Sequence, residues 1–147
     1  MIAGHAVVEV ARVAGRHDRH EYILRDEADR SVLLVQGLSG GAKEWHLLRR
    51  AASAPAGTPH EAATRRTGAT VAVDGTSARI IDLFQSRALG ADGIRGVETL
   101  PGTVHYGFVA REGTHWVFAR WNETDIQWYR GAAVPDADVL AALGGAK

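Results

Sequence analysis

The 147-residue sequence contains no cysteine. Without thiols the chain can have no disulfide bond, no thiolate zinc site and no cysteine nucleophile. The sequence also has no excess of charge of one sign, because 17 acidic side chains balance 17 basic ones. A chain with no net charge has no overall field to attract nucleic acid or an anionic membrane surface. Small β-barrels do bind single-stranded nucleic acid through aromatic side chains, so that function stays as a minor alternative.

Long apolar runs are absent as well. No segment reaches the apolar length of a membrane span, and the first residues, MIAGHAVVEVARV, lack the basic region and apolar run of a signal peptide. We therefore expect a cytoplasmic, bacterial-type protein that does not insert into membranes. The length suits a single domain with a sizeable core.

The sequence shows no reactive constellation of side chains. His17 and His20 fall in a polar segment, whereas His105 and His115 point to opposite faces of a predicted sheet and cannot share a metal ion. The Ser-Gly-Gly run at 39–41 lacks the flanking pattern of a nucleophile elbow. We expect no metal, no cofactor and no catalytic residue, and the protein is more simply a non-enzyme.

What the sequence does have is an aromatic stretch at 104–131, VHYGFVAREGTHWVFARWNETDIQWYRG. It holds three of the four Trp, two of the three Tyr and two of the three Phe. Turn signals at 112–113 and 122–125 divide it into three antiparallel strands. If 112–113 is a two-residue loop, Phe108 lies opposite Val117 and Tyr106 opposite Ala119. The next turn then places Ala119 opposite Trp128.

One face of these strands is predicted to be core, because large side chains flank the small Ala119. This face comprises Val104, Tyr106, Phe108, Val117, Ala119, Ile126 and Trp128. The opposite face carries three aromatic residues and a polar row, and Trp, Tyr and Arg dominate binding hot spots. We name it the 105–129 patch, and it consists of His105, Arg111, Trp116, Phe118, Arg120, Gln127 and Tyr129.

Two alternatives remain open for the 105–129 patch. A C-terminal helix could cover it through Val139, Leu140 and Leu143. The polar row formed by His105, Arg120 and Gln127 could instead serve a small-molecule sensor or an enzyme, in which His105 would make the contact pH-sensitive.

Elsewhere the alternation of apolar residues predicts short strands, and the helix at Pro135–Leu143 begins with proline and acidic residues and precedes a glycine. Gly15–Arg19 is predicted as a turn, Ala51–Arg66 as a linker or surface excursion, and Gln85–Thr103 as a loop beside the patch. The predicted strands are Ala6–Val13, Glu21–Asp26, Ser31–Gln36, Glu44–Arg49, Thr70–Val73 and Ser77–Phe84.

An internal repeat organises these elements. Tyr22 and Tyr106 are 84 residues apart, as are Leu33 and Val117, and the pair Trp45 and Trp128 is 83 apart. The predicted fold is mainly β: two related antiparallel meanders, each like an SH3-type half barrel, that pack through their Tyr/Leu/Trp faces and carry one C-terminal helix. Within a single domain, the first half spans 1–50, a linker 51–67, the second half 68–134 and the helix 135–147.

The runs HEYILRD, SVLLV and EWHLLRR, followed by GVETLPGTVHYGFVAREGTHWVFARW and QWYRG, resemble the bacterial family known as domain of unknown function 4178. The resemblance covers nearly the whole chain and rests on packing motifs. The family has no assigned activity, and its genes often neighbour those of phage-shock-type membrane-stress proteins and polyamine-synthesis-like enzymes. The leading hypothesis is a non-catalytic binding or assembly module for a protein partner or a small ligand, with homo-oligomerisation left open.

Overall fold

Nine strands and two short helices make up the part of the chain that the computed structural model describes, residues 2–12, 15–25, 30–38, 44–54, 59–93, 104–123 and 125–142. None of the helices in these residues is long and apolar enough to cross a membrane. The helices are α1 (Pro59–Ala62) and α2 (Asp136–Ala142). The strands are β1 (Ile2–Arg12), β2 (Gly15–Arg25), β3 (Ser31–Gln36), β4 (Trp45–Arg50), β5 (Thr70–Val73), β6 (Thr76–Gly93), β7 (Val104–Glu112), β8 (His115–Trp121) and β9 (Ile126–Val134).

Eight of the strands close into an antiparallel barrel. The order around it is β1-β2-β3-β4-β9-β8-β7-β6, and β6 pairs with β1 to complete the ring. β5 pairs with the first residues of β6 as a ninth strand. The mainly β prediction is confirmed, but the two halves meet edge to edge, β4 with β9 and β1 with β6, and not through packed faces as predicted. Closure satisfies the backbone groups that open sheet edges would leave unpaired.

β6 makes closure possible because it is 18 residues long and pairs with three other strands. The register shifts between Ile80 and Asp82 against β7, and again next to Ala88 against β1. Such bulges bend a strand, and they leave Ile81 and Leu89 exposed here. The prediction that the strand ends at Phe84 was wrong, because the glycines of residues 85–93 lie inside a bent strand and not in a loop. The rest of the predicted loop, 94–103, lies outside the described residues.

The predicted turn at Gly15–Arg19 was also wrong, since β2 begins at Gly15. Its charged residues pair along β1, with Asp18 opposite Glu9 and Arg16 opposite Ala11. In the extended strand, alternate side chains share a face, so Arg19 and Glu21 both point into the barrel. A run that looks like a solvated turn therefore supplies buried charge.

Three apolar clusters fill and coat the barrel. The interior cluster is built around Val10, Val35, Leu48, Phe84, Val109 and Phe118. A second cluster lies on the outer face of β7, β8 and β9, beneath β5, α1 and residues 51–54. Parts of the section predicted as a linker, 51–66, therefore cover the sheet, namely residues 51–54 and α1, in which Ala62 is buried. A third cluster lies outside β2 and β3, where Val139 of α2 packs on Leu24, Val32 and Leu34.

The register of β8 with β9 was predicted correctly, since Ala119 lies opposite Trp128. The predicted register of β7 with β8 was wrong by two residues, because Phe108 lies opposite Ala119 and Glu112 opposite His115. The loop is Gly113-Thr114, and Gly113 has a φ of 59°. A positive φ at the first loop position favours glycine there, so the turn shifts to begin at Gly113. A shift of two leaves each side chain on its predicted face.

Candidate functional site

The 105–129 patch lies inside the barrel and does not form an exposed aromatic surface. His105, Trp116, Phe118, Arg120 and Tyr129 are buried. Gln127 is half-buried, and Arg111 is exposed at the barrel end with its guanidinium 4.7 Å from the centroid of the Trp116 ring. The helix α2 does not cover these residues, because Val139 packs on the outer face of β2 and β3. The side chain of Leu140 and the whole of Leu143 lie outside the described residues.

Three charged side chains meet in the barrel interior. The Glu21 carboxylate accepts a hydrogen bond from Arg19 Nε on Oε2 and another from Arg120 Nη1 on Oε1, each at 2.8 Å. Arg120 Nε also donates to Gln127 Oε1 at 2.9 Å. β2 and β8 are four places apart in the ring of eight strands, so the Glu21–Arg120 bond joins opposite walls. We call Arg19, Glu21 and Arg120 the ionic cluster.

Aromatic rings enclose the ionic cluster. The Arg19 guanidinium carbon is 5.0 Å from the Phe84 ring centroid and 4.8 Å from that of Phe118. Arg120 is 5.6 Å from the centroids of Phe118 and Tyr129. Both terminal nitrogens of Arg19 lack a hydrogen-bond acceptor among the described residues. Cation–π contacts with the ring faces therefore replace part of their hydration.

The cluster is ionised at neutral pH. Burial alone would raise the pKa of Glu21, but the charges of Arg120 and Arg19 outweigh burial and lower it to about 2. Burial likewise opposes the charge on Arg120, yet Glu21 and Tyr129 raise its pKa overall. For Arg19, burial and the charge of Arg120 together lower the pKa. Arginine stays protonated in proteins, so the interior holds two cations against one anion.

A cavity of about 180 Å³ opens beside the ionic cluster. It lies at the barrel end where β2 and β4 finish and β3 begins, and Arg50 stands at its rim with its guanidinium 5.5 Å from the centroid of the Tyr129 ring. We call it the barrel-mouth cavity. Its lining consists of Ala6, Glu21, Ile23, Ser31, Val32, Leu33, Arg50, Arg120 and Tyr129. A dry protein cavity of about 150 Å³ accepts a molecule the size of benzene, so this one has room for a small ligand.

The predicted polar row is formed only in part. Arg120 and Gln127 are paired across β8 and β9, but Gly107, and not His105, lies opposite Arg120. His105 sits further along β7, where its carbonyl accepts a hydrogen bond from Ser86 Oγ at 3.5 Å. The cavity therefore converges on Arg120 and Glu21, and His105 is not part of its lining.

The remaining histidines do not assemble a metal site within the described segments, where no three His, Asp or Glu side chains come together. On the outer face of the barrel, His5 Nε2 lies 3.2 Å from His20 Nδ1, and the His5 ring stacks on Tyr22. His46 packs edge-on against Trp116 inside the barrel, and burial lowers its pKa. These contacts identify His5, His20 and His46 as packed side chains.

Sequence reasoning missed Arg19, Glu21 and Arg50 as site residues. The signal was available, because Arg19, Glu21 and Ile23 alternate in the run RHEYI and would share one face of any strand that included them. To find this alternation, β2 has to be extended through a segment whose charges favour a turn.

No known protein family, no curated protein and no solved structure matches this chain.

Proposed function

We propose that this chain is a non-catalytic binding protein and that its ligand is a small molecule held in the barrel-mouth cavity. The observation that carries the proposal is the cavity itself, which has apolar walls and ends on a buried, charged floor. An apolar pocket with a few fixed polar groups is the usual form of a small-molecule site. The sequence left open a protein partner or a small ligand, and this geometry favours a module that binds a small ligand over one that docks a protein on a flat face.

The chemistry of the floor argues against catalysis at this site. A general base works best with a pKa near the operating pH, whereas the pKa of Glu21 is about 2. Both carboxylate oxygens already accept bonds from guanidinium groups. The guanidinium of Arg120 is held even more firmly in its charged form. Such a cluster supplies a fixed charge to a ligand and does not exchange protons with it.

We further propose that the two halves of the barrel arose by duplication. β1–β4 and β6–β9 are both four-stranded meanders, and their mutual pairing is the one a two-fold axis across the barrel would produce. Tyr22 and Tyr106 both face outward, in support of the 84-residue spacing. Leu33 faces inward whereas Val117 faces outward, so the spacing must change between β3 and β8. Membership of the domain of unknown function 4178 family, with its membrane-stress and polyamine gene neighbourhoods, stays a proposal beside this one.

A fragment titration followed by amide chemical shifts tests the binding proposal. We expect small aromatic and aliphatic fragments to shift the amides of Ile23, Leu33 and Tyr129. The Ile23→Trp variant would fill the cavity and abolish these shifts, whereas Ile81→Trp, at an exposed bulge, would leave them unchanged. Shifts that persist in Ile23→Trp, or that never occur at these amides, would show that the cavity is not the site.

A further inference from the structure

We infer that the ligand of the barrel-mouth cavity is a small carboxylate with a short apolar tail, whose carboxylate group binds to Arg50 and Arg120. This inference rests on the proposed function and names the ligand class for the same site.

The balance of charge around the cavity favours an anionic ligand. Glu21, Arg50 and Arg120 are the charged side chains in its lining, and Arg19 contacts Glu21 from the next inward position of β2. Among the described residues, the cavity and its floor therefore hold three guanidinium groups and one carboxylate, a local charge of +2. Buried charge without a counter-charge is costly, so the site favours an anion and repels a cation.

The two arginines that line the cavity, Arg50 and Arg120, are not fully neutralised. Glu21 is shared between Arg19 and Arg120, so it neutralises neither completely. Arg50 has no ion pair with any residue in the described segments and rests against the Tyr129 ring. A guanidinium presents parallel N–H donors that match the two oxygens of a carboxylate. Arg50 at the rim and Arg120 at the floor are therefore positioned to hold one carboxylate between them.

Most of the remaining lining of the cavity is apolar. Ala6, Ile23 and Leu33, whose side chains face the barrel interior, supply the apolar walls of the cavity. A bare inorganic anion would leave these walls without a partner, whereas an apolar tail would bury them and gain hydrophobic stabilisation. The cavity volume of about 180 Å³ limits that tail to about the size of a benzene ring.

The test uses the full chain at neutral pH and four probes: benzoate, benzyl alcohol, benzylamine and inorganic phosphate. Amide chemical shifts of the lining residues locate each probe, and the titration gives its Kd. We expect benzoate to bind at least about tenfold more tightly than benzyl alcohol, since a charge-assisted bond is worth roughly 1.4 kcal/mol or more. Benzylamine and phosphate should bind more weakly than benzoate.

Two neighbouring arginines provide the matched variants, because both are exposed and only one lines the cavity. Arg50→Gln should weaken benzoate about fivefold or more and leave benzyl alcohol unchanged. Arg49→Gln removes the same charge from the next residue and should change neither Kd by more than about twofold. Unchanged benzoate affinity in Arg50→Gln would overturn the inference.

The other outcomes separate the inference from the proposed function. If benzyl alcohol or benzylamine shifts the lining amides and binds at least as tightly as benzoate, the cavity binds small molecules but the carboxylate assignment is wrong. If phosphate binds at the lining residues as tightly as benzoate, the assignment of an apolar tail to the ligand is wrong. If no probe shifts these amides, or if benzoate shifts only residues elsewhere, the proposed function fails together with the inference.

Discussion

Replacing Glu21 with glutamine tests the ionic cluster directly. The substitution keeps the shape of the side chain and removes the negative charge that both guanidinium groups share. Arg19 and Arg120 would then remain buried beside each other without a counter-charge. Breaking a buried pair by removing one partner is strongly destabilising for this reason.

The pKa of Glu21 gives the size of the expected loss in unfolding free energy. Its fall from 4.5 to about 2 corresponds to roughly 3 kcal/mol, since one pKa unit is worth about 1.4 kcal/mol. We therefore expect Glu21→Gln to lower the free energy of unfolding by about 3 kcal/mol at pH 7. The side chain is 3% exposed, so solvent screening does not reduce this figure much.

The stability difference between the wild type and Glu21→Gln should depend on pH, because folding lowers the pKa of Glu21. Because the folded pKa lies below the ordinary value, the stabilisation by Glu21 is complete above about pH 4.5 and is lost as the pH falls towards 2. The difference in unfolding free energy between the two proteins should therefore shrink from about 3 kcal/mol at pH 7 to less than half of that at pH 3. Below pH 2 the protonated wild type resembles the variant.

Urea denaturation followed by tryptophan fluorescence at pH 7, 5, 4 and 3 measures these differences. Glu9→Gln is the matched control, because Glu9 pairs with Arg87 at 3.1 Å on the barrel surface and should contribute less than about 1 kcal/mol. A Glu21→Gln variant that is as stable as the wild type at pH 7, or a difference that does not shrink at low pH, would refute the ionic cluster as described.

Three further substitutions test the fold. Trp128→Ala should cost about 3–5 kcal/mol, since the indole is buried in the outer cluster; an unchanged melting temperature would contradict that packing. Gly107→Ala should cost about 1–3 kcal/mol, because a Cβ there would collide with the backbone oxygen of Ala119 and with Cζ of Phe84; wild-type stability in urea would show that these atoms do not pack against this glycine. Asp74→Ala should speed hydrogen exchange at the Ser53 amide, which donates to Asp74 Oδ1 at 2.6 Å; unchanged exchange would mean that this bond is not formed.

Local patterns in the sequence were sufficient for most strands and for the side-chain faces of β7, β8 and β9. The Asp74-Gly75 hairpin followed from the φ preferences of its residues, and both have positive φ in the structure. Helix α2 followed in the same way from its proline and acidic residues. These features depend on neighbours within a few residues, which is the range over which propensity and periodicity act.

Closure of the barrel could not be predicted in this way. It depends on β1 pairing with β6, where His5 lies opposite Asp92, and on β4 pairing with β9. Alternation shows which side chains share a face but does not identify the partner of a strand edge. A face with Trp116, Phe118 and Tyr129 therefore looks like a candidate surface until the edges join and turn it inward. The same closure brings Glu21 and Arg120 together across 99 residues of sequence.

The proposed binding site would explain why the barrel interior carries an ionic cluster. Well-packed apolar residues often replace a buried ion pair at no cost, so stability does not require charge at this position. Arg120 has Nε on Gln127 and Nη1 on Glu21, and it still lines the cavity. Those two bonds fix the orientation of the guanidinium before any ligand arrives, which lowers the entropic cost of binding. Glu21 thus holds Arg120 in place, while Arg19 draws on the same carboxylate and so leaves part of the charge on Arg120 for an anion in the cavity.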